Sequence, residues 1–509
     1  MTGKWDLVNN APGFNVGTML LLTDGTVMCQ DDGPAESGSP NWYLLTPDPQ
    51  SPLDQTYLNG LWWTLPSLPL PAGAIRPDQG GPTYAPRDYA SAVLRDGRVF
   101  IAGGEYNGYS TKNPPDLLAC AIYDPASMRW TTQPDIPLPP GWSKIGDAPC
   151  CVLPDGRVLL GSIENEQTAI YDPVVNSFQP AASTGNNKQK DDSSSEETWT
   201  LLPDNTVLTV ECTKHSPGKP AEKYLIASDT WVSAGATPDD LVDGDIEIGP
   251  AILLPDGRVF AIGATGATAL YTVPAKPGDP GKWTRGKPLP NPNGKQLVAK
   301  DAPACLLPNG RVLIAIGPAS QYCPGDPDNG YCPPMSYFEY DPLTDGYSPP
   351  LPPPPNHDAT LAPYTGRMLL LPTGQVLFAN STQKVAIYTP DGTPDPGWRP
   401  VITSVSQTLQ AGQTYTLQGK QLNGRSQACS YGDDASMATN YPLVRIQSAA
   451  GNQVLYCRTA NHSTMGVATG DAVHSTQFTV PQSAASGAYK LVVVANGIAS
   501  DAVQVAIAP

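Results

Sequence analysis

Acidic residues recur at one fixed place in this 509-residue chain. Nine residues before a turn glycine or asparagine stand Asp88, Asp147, Glu196, Asp301 and, once, Thr365, while Glu197 and Glu247 fall one residue outside that register. Each turn lies between two short apolar runs, so the offset marks the start of the first run. Carboxyls gathered in one volume cannot all stay ionised unless a cation, an arginine or water neutralises them. Two chemistries follow. A hard divalent ion (Ca²⁺, Mn²⁺ or iron) accepts carboxylate, phenolate and a single imidazole, and suits such a set better than copper does. Paired acids can also divide general acid and general base work between them. The structural reading is that each carboxylate accepts backbone N–H groups or pairs with Arg87 or Arg367. That reading serves for one residue more readily than for the same charge repeated around an axis.

What would gather these groups is a repeat. An apolar strand, a turn with Gly or Asn and a second apolar strand occur in seven copies. They read MLLLTDGTVM from Met19, AVLRDGRVFIAGG from Ala92, CVLPDGRVLLG from Cys151, LLPDNTVLTV from Leu201, ILLPDGRVFAIG from Ile252, CLLPNGRVLIAIG from Cys305 and LLLPTGQVLFAN from Leu369. Asp-Gly and Asn-Gly between apolar runs are strong hairpin signals. A second phrase follows, clearest at Tyr123-Asp124-Pro125, Tyr171-Asp172-Pro173, Tyr340-Asp341-Pro342 and Tyr388-Thr389-Pro390, and then an aromatic: Trp63, Trp130, Phe178, Trp231, Trp283 or Tyr347. Four short strands in a period of roughly 50–70 residues predict a β-propeller blade, which cannot bury both faces until it stacks around an axis. The expected fold is all-β: a seven-bladed kelch-type propeller over 1–398, with Trp5 on a strand that completes the last blade. From about Arg399 the pattern changes to alternating segments such as QTYTLQG and YKLVVVANG, which predict an immunoglobulin-like β-sandwich over 399–509. Strand starts of equivalent blades converge on one end of the central channel, so five blades should aim a carboxylate there.

Composition agrees and narrows the function. Pro (58) and Gly (48) are too frequent for long helices, and 40% hydrophobic residues suffice for a core. The net charge of −17 repels phosphate backbones and anionic lipid, which sets nucleic acid and membrane partners aside. No apolar run approaches the ~18 residues of a spanning helix. Cys323 and Cys332 bracket a Pro/Gly/Asp-rich loop of the kind a disulfide closes, with Cys429 and Cys457 a weaker second pair. Such a bond favours an oxidising compartment, so an extracellular or periplasmic location is expected, although this chain shows no leader and a cytoplasmic one stays open.

The C-terminal RTANHSTMG, followed by GAYKLVVVANG, resembles the galactose oxidase and glyoxal oxidase family of copper radical oxidases. The resemblance covers essentially the whole chain. It implies a seven-bladed kelch propeller with a C-terminal sandwich that sends a histidine-bearing loop, here His462, up the axis. The family's copper site is only partly kept. Its Phe-Cys-Pro-Gly stands here as Phe14-Asn15-Val16-Gly17, so Asn15 replaces the cysteine that cross-links a tyrosine. Its Arg-Gly-Tyr is Arg87-Asp88-Tyr89, its stacking aromatic is Tyr106, and its Tyr-His is Tyr364-Thr365, which loses one imidazole. Without the thioether and the second imidazole, radical alcohol oxidation is disfavoured.

The expected catalytic residues are therefore Tyr89, Tyr364, His462, Glu196 and Asp147. Asn15, Arg87, Tyr106 and Glu247 would bind substrate, and Asp88, Asp147, Glu196, Glu197, Asp301 and His462 would hold the metal. The favoured function is a metal-assisted hydrolase or lyase acting on a saccharide or another small polar substrate. The alternatives are a divergent copper radical alcohol or aldehyde oxidase and a non-catalytic kelch module that binds glycans or proteins, for which the Pro-rich insert from Ser320 to Pro355 is a candidate surface.

Overall fold

The computed structural model describes residues 3–34, 37–72, 83–108, 116–182, 190–216, 218–323, 330–355, 357–432, 437–451 and 453–509. Each of the seven sequence copies forms the inner hairpin of a blade; six blades are four-stranded sheets, and the sixth in chain order is extended to six strands. The inner strands are Val16–Leu21, Ala90–Val93, Cys150–Val152, Thr200–Leu201, Ala251–Leu253, Ala304–Leu306 and Arg367–Leu370. The register is the same throughout: Leu21 faces Val27, Val93 faces Val99, Val152 faces Val158, Leu201 faces Val207, Leu253 faces Val259, Leu306 faces Val312 and Leu370 faces Val376. The result is a seven-bladed β-propeller.

The ring closes as the orphan aromatic predicts. Lys4–Leu7 is the outer strand of the last blade, with Trp5 opposite Tyr388. The same aromatic pairing repeats on other outer edges, Tyr123 with Trp130, Tyr171 with Phe178 and Tyr224 with Trp231. In the first blade the equivalent position, opposite Leu45, is Trp62 and not Trp63, which is 56% exposed.

The C-terminal region differs from the expected pair of stacked sheets. Val401–Ser404, Thr414–Lys420, Val473–Thr479, Val454–Ala460, Leu443–Ser448, Gly487–Ala495, Val503–Ile507 and Thr408–Leu409 follow one another in a single hydrogen-bonded sheet. Val454–Ala460 makes it continuous, because its first half pairs with Leu443–Ser448 and its last residues pair with Val473–Thr479. The sheet curls as a half-barrel around Leu417, Val444, Ile446, Phe478 and Leu491. Cys457 stands opposite Val444 inside it, so it is not the partner of Cys429. Cys323 and Cys332 are disulfide-bonded.

This sheet covers the end of the propeller where the inner hairpins turn. Met465 N donates to Pro154 O, Arg425 Nε to Pro255 O, and Thr459 N to Thr23 O. Gly25, in the first turn, has φ +77, and a Cβ there would fall 2.5 Å from the Tyr456 ring. Gly25→Ala should therefore cost about 1–2 kcal/mol from the left-handed backbone alone, more if Tyr456 cannot shift. A urea midpoint compared with wild type measures it.

One segment of the C-terminal region leaves the sheet and enters the channel. Cys429–Ser430 adds a further strand inside the sixth blade, with Ser430 opposite Ala304 and Cys429 opposite Cys305. Tyr431 then lies under the Arg367 guanidinium at 4.0 Å and donates its hydroxyl to Tyr364 O at 2.8 Å.

Candidate functional site

The acids stand at the end of the propeller opposite the covered turns, just before the inner strands begin. Asp88, Glu196 and Asp301 occupy equivalent positions and share a left-handed backbone, with φ of 48°, 60° and 43°. Such a conformation is costly for a residue with a Cβ. Its repetition in three blades turns the chain sharply before the strand.

Around the axis the groups meet in pairs. Asp88 Oδ1 lies 3.8 Å from Arg367 Nη2, and Arg367 Nη1 donates to Tyr364 O at 2.6 Å. Asp301 accepts the Tyr331 hydroxyl, and the Tyr331 ring packs at 4.8 Å on Tyr364 and at 4.5 Å from Lys300 Nζ. Lys300 is itself held by Asp245 at 2.9 Å and Asp243 at 3.2 Å. Burial, then the charges of Asp301 and Glu247, drive the Tyr331 phenol far above its ordinary pKa, so it stays a donor.

Asp147 is buried, 5% exposed, as Asp301 is, and is hydrogen-bonded to Glu196. Burial pushes it up to about 6; the Glu196 hydrogen bond opposes this, and the charges of Asp116 and Asp88 add to it. Burial also raises Glu247, against the Tyr331 hydrogen bond and the Lys300 charge. Asp147 contributes to the Glu247 shift, so the electrostatics link successive blades. A carboxyl raised in this way beside a second carboxyl is an arrangement that acid–base catalysis can use.

Several expected residues lie elsewhere. His462 is buried at the covered end: its Nδ1 is 2.9 Å from Thr476 Oγ1, and its ring stacks at 6.4 Å on Tyr441, whose hydroxyl bonds Leu21 O at the first turn. Burial, with Arg95 nearby, lowers its pKa to about 3, so it is a neutral packing residue. The segment that enters the channel is the one through Cys429 and Tyr431, not the loop that carries His462. Tyr89 is buried and donates to Gln30 Oε1 at 2.6 Å, between the first two blades. Asn15 spends its amide on Gly33 O at 2.7 Å. Tyr106 stacks under Arg87 at 4.4 Å and feels the charge of Asp88, which keeps both beside the acids.

Glu197 points away from its neighbour Glu196. Its Oε1 accepts from Lys190 Nζ at 2.7 Å and its Oε2 from Trp199 Nε1 at 2.9 Å. Asp192, Glu197 and Glu211 bring ligand oxygens within 4.8 Å of one another, the one such trio among the described residues, and could hold a cation. The cation in place is the Lys190 ammonium, 2.7–2.9 Å from all three. The axial acids, by contrast, meet as pairs and form no such trio, which corrects the expectation that Asp88, Asp147, Glu196, Glu197, Asp301 and His462 surround one metal.

Copper does not fit the axial end. The chain has four histidines. His215 pairs with Asp240, His357 faces Tyr337, His474 faces Ser463, and His462 bonds Thr476. None is paired with an axial carboxyl, so the nitrogen donors that Cu(II) prefers are missing there. The ligand atoms that the axial carboxyls and phenols offer are oxygens, which suit a hard cation instead. A cavity of about 590 Å³ lies at the covered end, beside Trp398 and Asp391. Its Arg311 is engaged by Glu339 at 2.9 Å.

Three contributors escaped the sequence reading. Asp32 follows the second strand of the first blade; burial raises its pKa, against a hydrogen bond from Ser381 and the charge of Arg367, with Asp88 also acting on it. Tyr331 comes from the insert in the sixth blade, and Lys300 immediately precedes Asp301. Counting only inner-strand starts finds none of them, whereas the ends of second strands, which reach the same rim, would have shown Asp32.

No family model matches the chain, and no curated protein does. Among solved structures it is similar to a fungal alcohol oxidase of the AA5 family in complex with copper, at 14% identity and a TM-score of 0.52, covering 100% of this chain and 99% of that one. Virginiamycin B lyase from Staphylococcus aureus shares 11% identity at a TM-score of 0.46, over 76% of this chain and 100% of that one. The extracellular domain of a two-component system from B. thetaiotaomicron shares 9% identity at 0.43, over 99% of this chain and 58% of that one. The first likeness establishes a fold of the galactose oxidase kind.

Proposed function

We propose that the protein is an enzyme that works at the open end of the propeller, transferring protons in the hydrolysis or elimination of a saccharide or another small polar substrate. The hydrogen-bonded carboxyl pair Asp147–Glu196 carries this reading: Asp147 is buried, burial raises its pKa to about 6, and further hydrogen-bonding groups stand at the same rim. Asp147 in its protonated state donates to the leaving oxygen, and Glu196 in its ionised state accepts from water or from a substrate carbon. Arg87, Arg367, Tyr106 and Tyr364 supply donors and ring faces for a polyhydroxylated ligand. A hard divalent ion would be held by Glu247 and Asp301 and would add positive charge beside the substrate oxygens.

The test is a panel of oligosaccharides and nitrophenyl glycosides scored for new reducing ends or unsaturated products, with and without a chelator. Activity that survives His462→Ala and falls in Glu196→Gln supports the reading. No turnover on any member, together with peroxide release from an alcohol after copper loading, would replace it with the oxidase alternative, which the fold likeness favours on shape alone.

A further inference from the structure

Cys305 and Cys429 lie directly opposite each other on antiparallel strands, one in the sixth blade and one in the axial segment of the C-terminal region. Their sulfurs are 3.5 Å apart, and both side chains are buried. Leu306 N donates to Ala428 O at 2.7 Å, so the adjoining pair Cys305/Cys429 occupies the site without backbone hydrogen bonds. In that site the Cα atoms approach to roughly 4.5 Å, inside the window of about 4.4–6.8 Å that a disulfide spans. Leu370 N donates to Cys429 Sγ at 3.2 Å.

We infer that Cys305 and Cys429 form a cross-link site: a second disulfide, made while the chain folds, that staples the axial segment to the sixth blade. The oxidant is a low-molecular-weight disulfide. One cysteine thiolate attacks it, forming a mixed disulfide and releasing one thiol, and the second cysteine thiolate displaces the other. Two protein S–H bonds and the oxidant's S–S bond give way to one protein S–S bond and two oxidant thiols. Two protein sulfurs are oxidised and two oxidant sulfurs reduced, with no net proton. Because both groups are buried in the folded chain, the exchange takes place before the segment seats. The bond joins residues 124 apart in sequence and ties down the strand that leads to Tyr431, the support of Arg367 and Tyr364. A pair of thiols left reduced at the same spacing is the competing state, and the two differ by the mass of two hydrogens.

The experiment uses the full chain carrying Cys323→Ser and Cys332→Ser, so that the Cys323–Cys332 bond does not contribute and the peptide map identifies which of the remaining cysteines pair. It is refolded in a glutathione/glutathione-disulfide buffer, denatured without reductant, alkylated and digested. The expected result is a peptide joining Cys305 to Cys429 in most molecules, lost in Cys305→Ser, with an unfolding temperature that drops by roughly 5 °C or more when reductant is added. Alkylation of both cysteines in the unreduced protein would overturn the inference, as would an unfolding temperature that reductant leaves unchanged.

Discussion

Asp147→Asn should lower turnover by about 10²–10⁴-fold, the usual worth of a positioned proton donor, with much less change in KM. Asparagine keeps the size of the side chain and can still hydrogen-bond Glu196, but it has no proton to give. The pH profile separates this from a loss of packing. Burial sets Asp147 at about 6, so its protonated fraction, and with it the wild-type rate for leaving-group protonation, falls as pH rises through that value. In the variant that limb should vanish. Stability has its own sign. A carboxyl raised on folding favours the native state most below its unfolded pKa, and this contribution is lost as pH rises through about 6. Asp147→Asn should therefore leave the protein no less stable at pH 8 than wild type, so its inactivity there cannot be blamed on unfolding. Steady-state rates between pH 4 and 9, with thermal midpoints alongside, decide it. Full activity in both Asp147→Asn and Glu196→Gln would end the case for the pair.

The propeller could be read from the sequence because its repeat is a local signal. Seven Gly or Asn turns fix seven inner hairpins, and each places a known residue nine positions upstream at the open rim. Such counting picks out Asp88, Asp147, Glu196 and Asp301 as candidates, with Glu247 one residue outside the register. What lay beyond such counting was direction. Glu196 and Glu197 are neighbours, yet the left-handed backbone at Glu196 (φ 60°) sends one carboxyl to Asp147 and the other to Lys190. A one-residue difference in register cannot distinguish the two without the backbone. His462 was misplaced for another reason. The family resemblance assigned the axial route to the wrong connection of the C-terminal sheet: the strand that pairs inside the sixth blade is Cys429–Ser430. The sandwich expectation holds only as far as a C-terminal curled sheet, because alternating strands look the same whether they end in two sheets or continue in one.

Lys190→Met is expected to destabilise the fold by about 3–5 kcal/mol, the typical cost of removing one partner from a buried ion pair. Lys190 is 3% exposed, and its ammonium reaches Asp192, Glu197 and Glu211 at once. Burial works against its charge, but Glu197 and Asp192 more than offset this and raise its pKa, so it stays charged. The three carboxyls outnumber it. Burial accordingly pushes Glu197 up to about 8, with Lys190 opposing and Asp192 adding. For a group raised in this way, stability is full below the unfolded carboxyl pKa and is lost as pH rises through about 8. With methionine in place of the lysine, all three acids face one another without a cation, and each must take up a proton to remain buried. The deficit in Lys190→Met should therefore be largest near pH 8 and shrink toward pH 5, whereas loss of a packed aliphatic stem alone would give a deficit that pH does not change. Denaturant midpoints at the two pH values measure the difference. A deficit independent of pH would mean that the lysine acts by volume and not by charge. Because Glu197 adjoins Glu196, Lys190→Met should also weaken turnover at pH values where the variant is still folded. That loss would place the buried ion cluster as the support that holds one half of the acid–base pair in position.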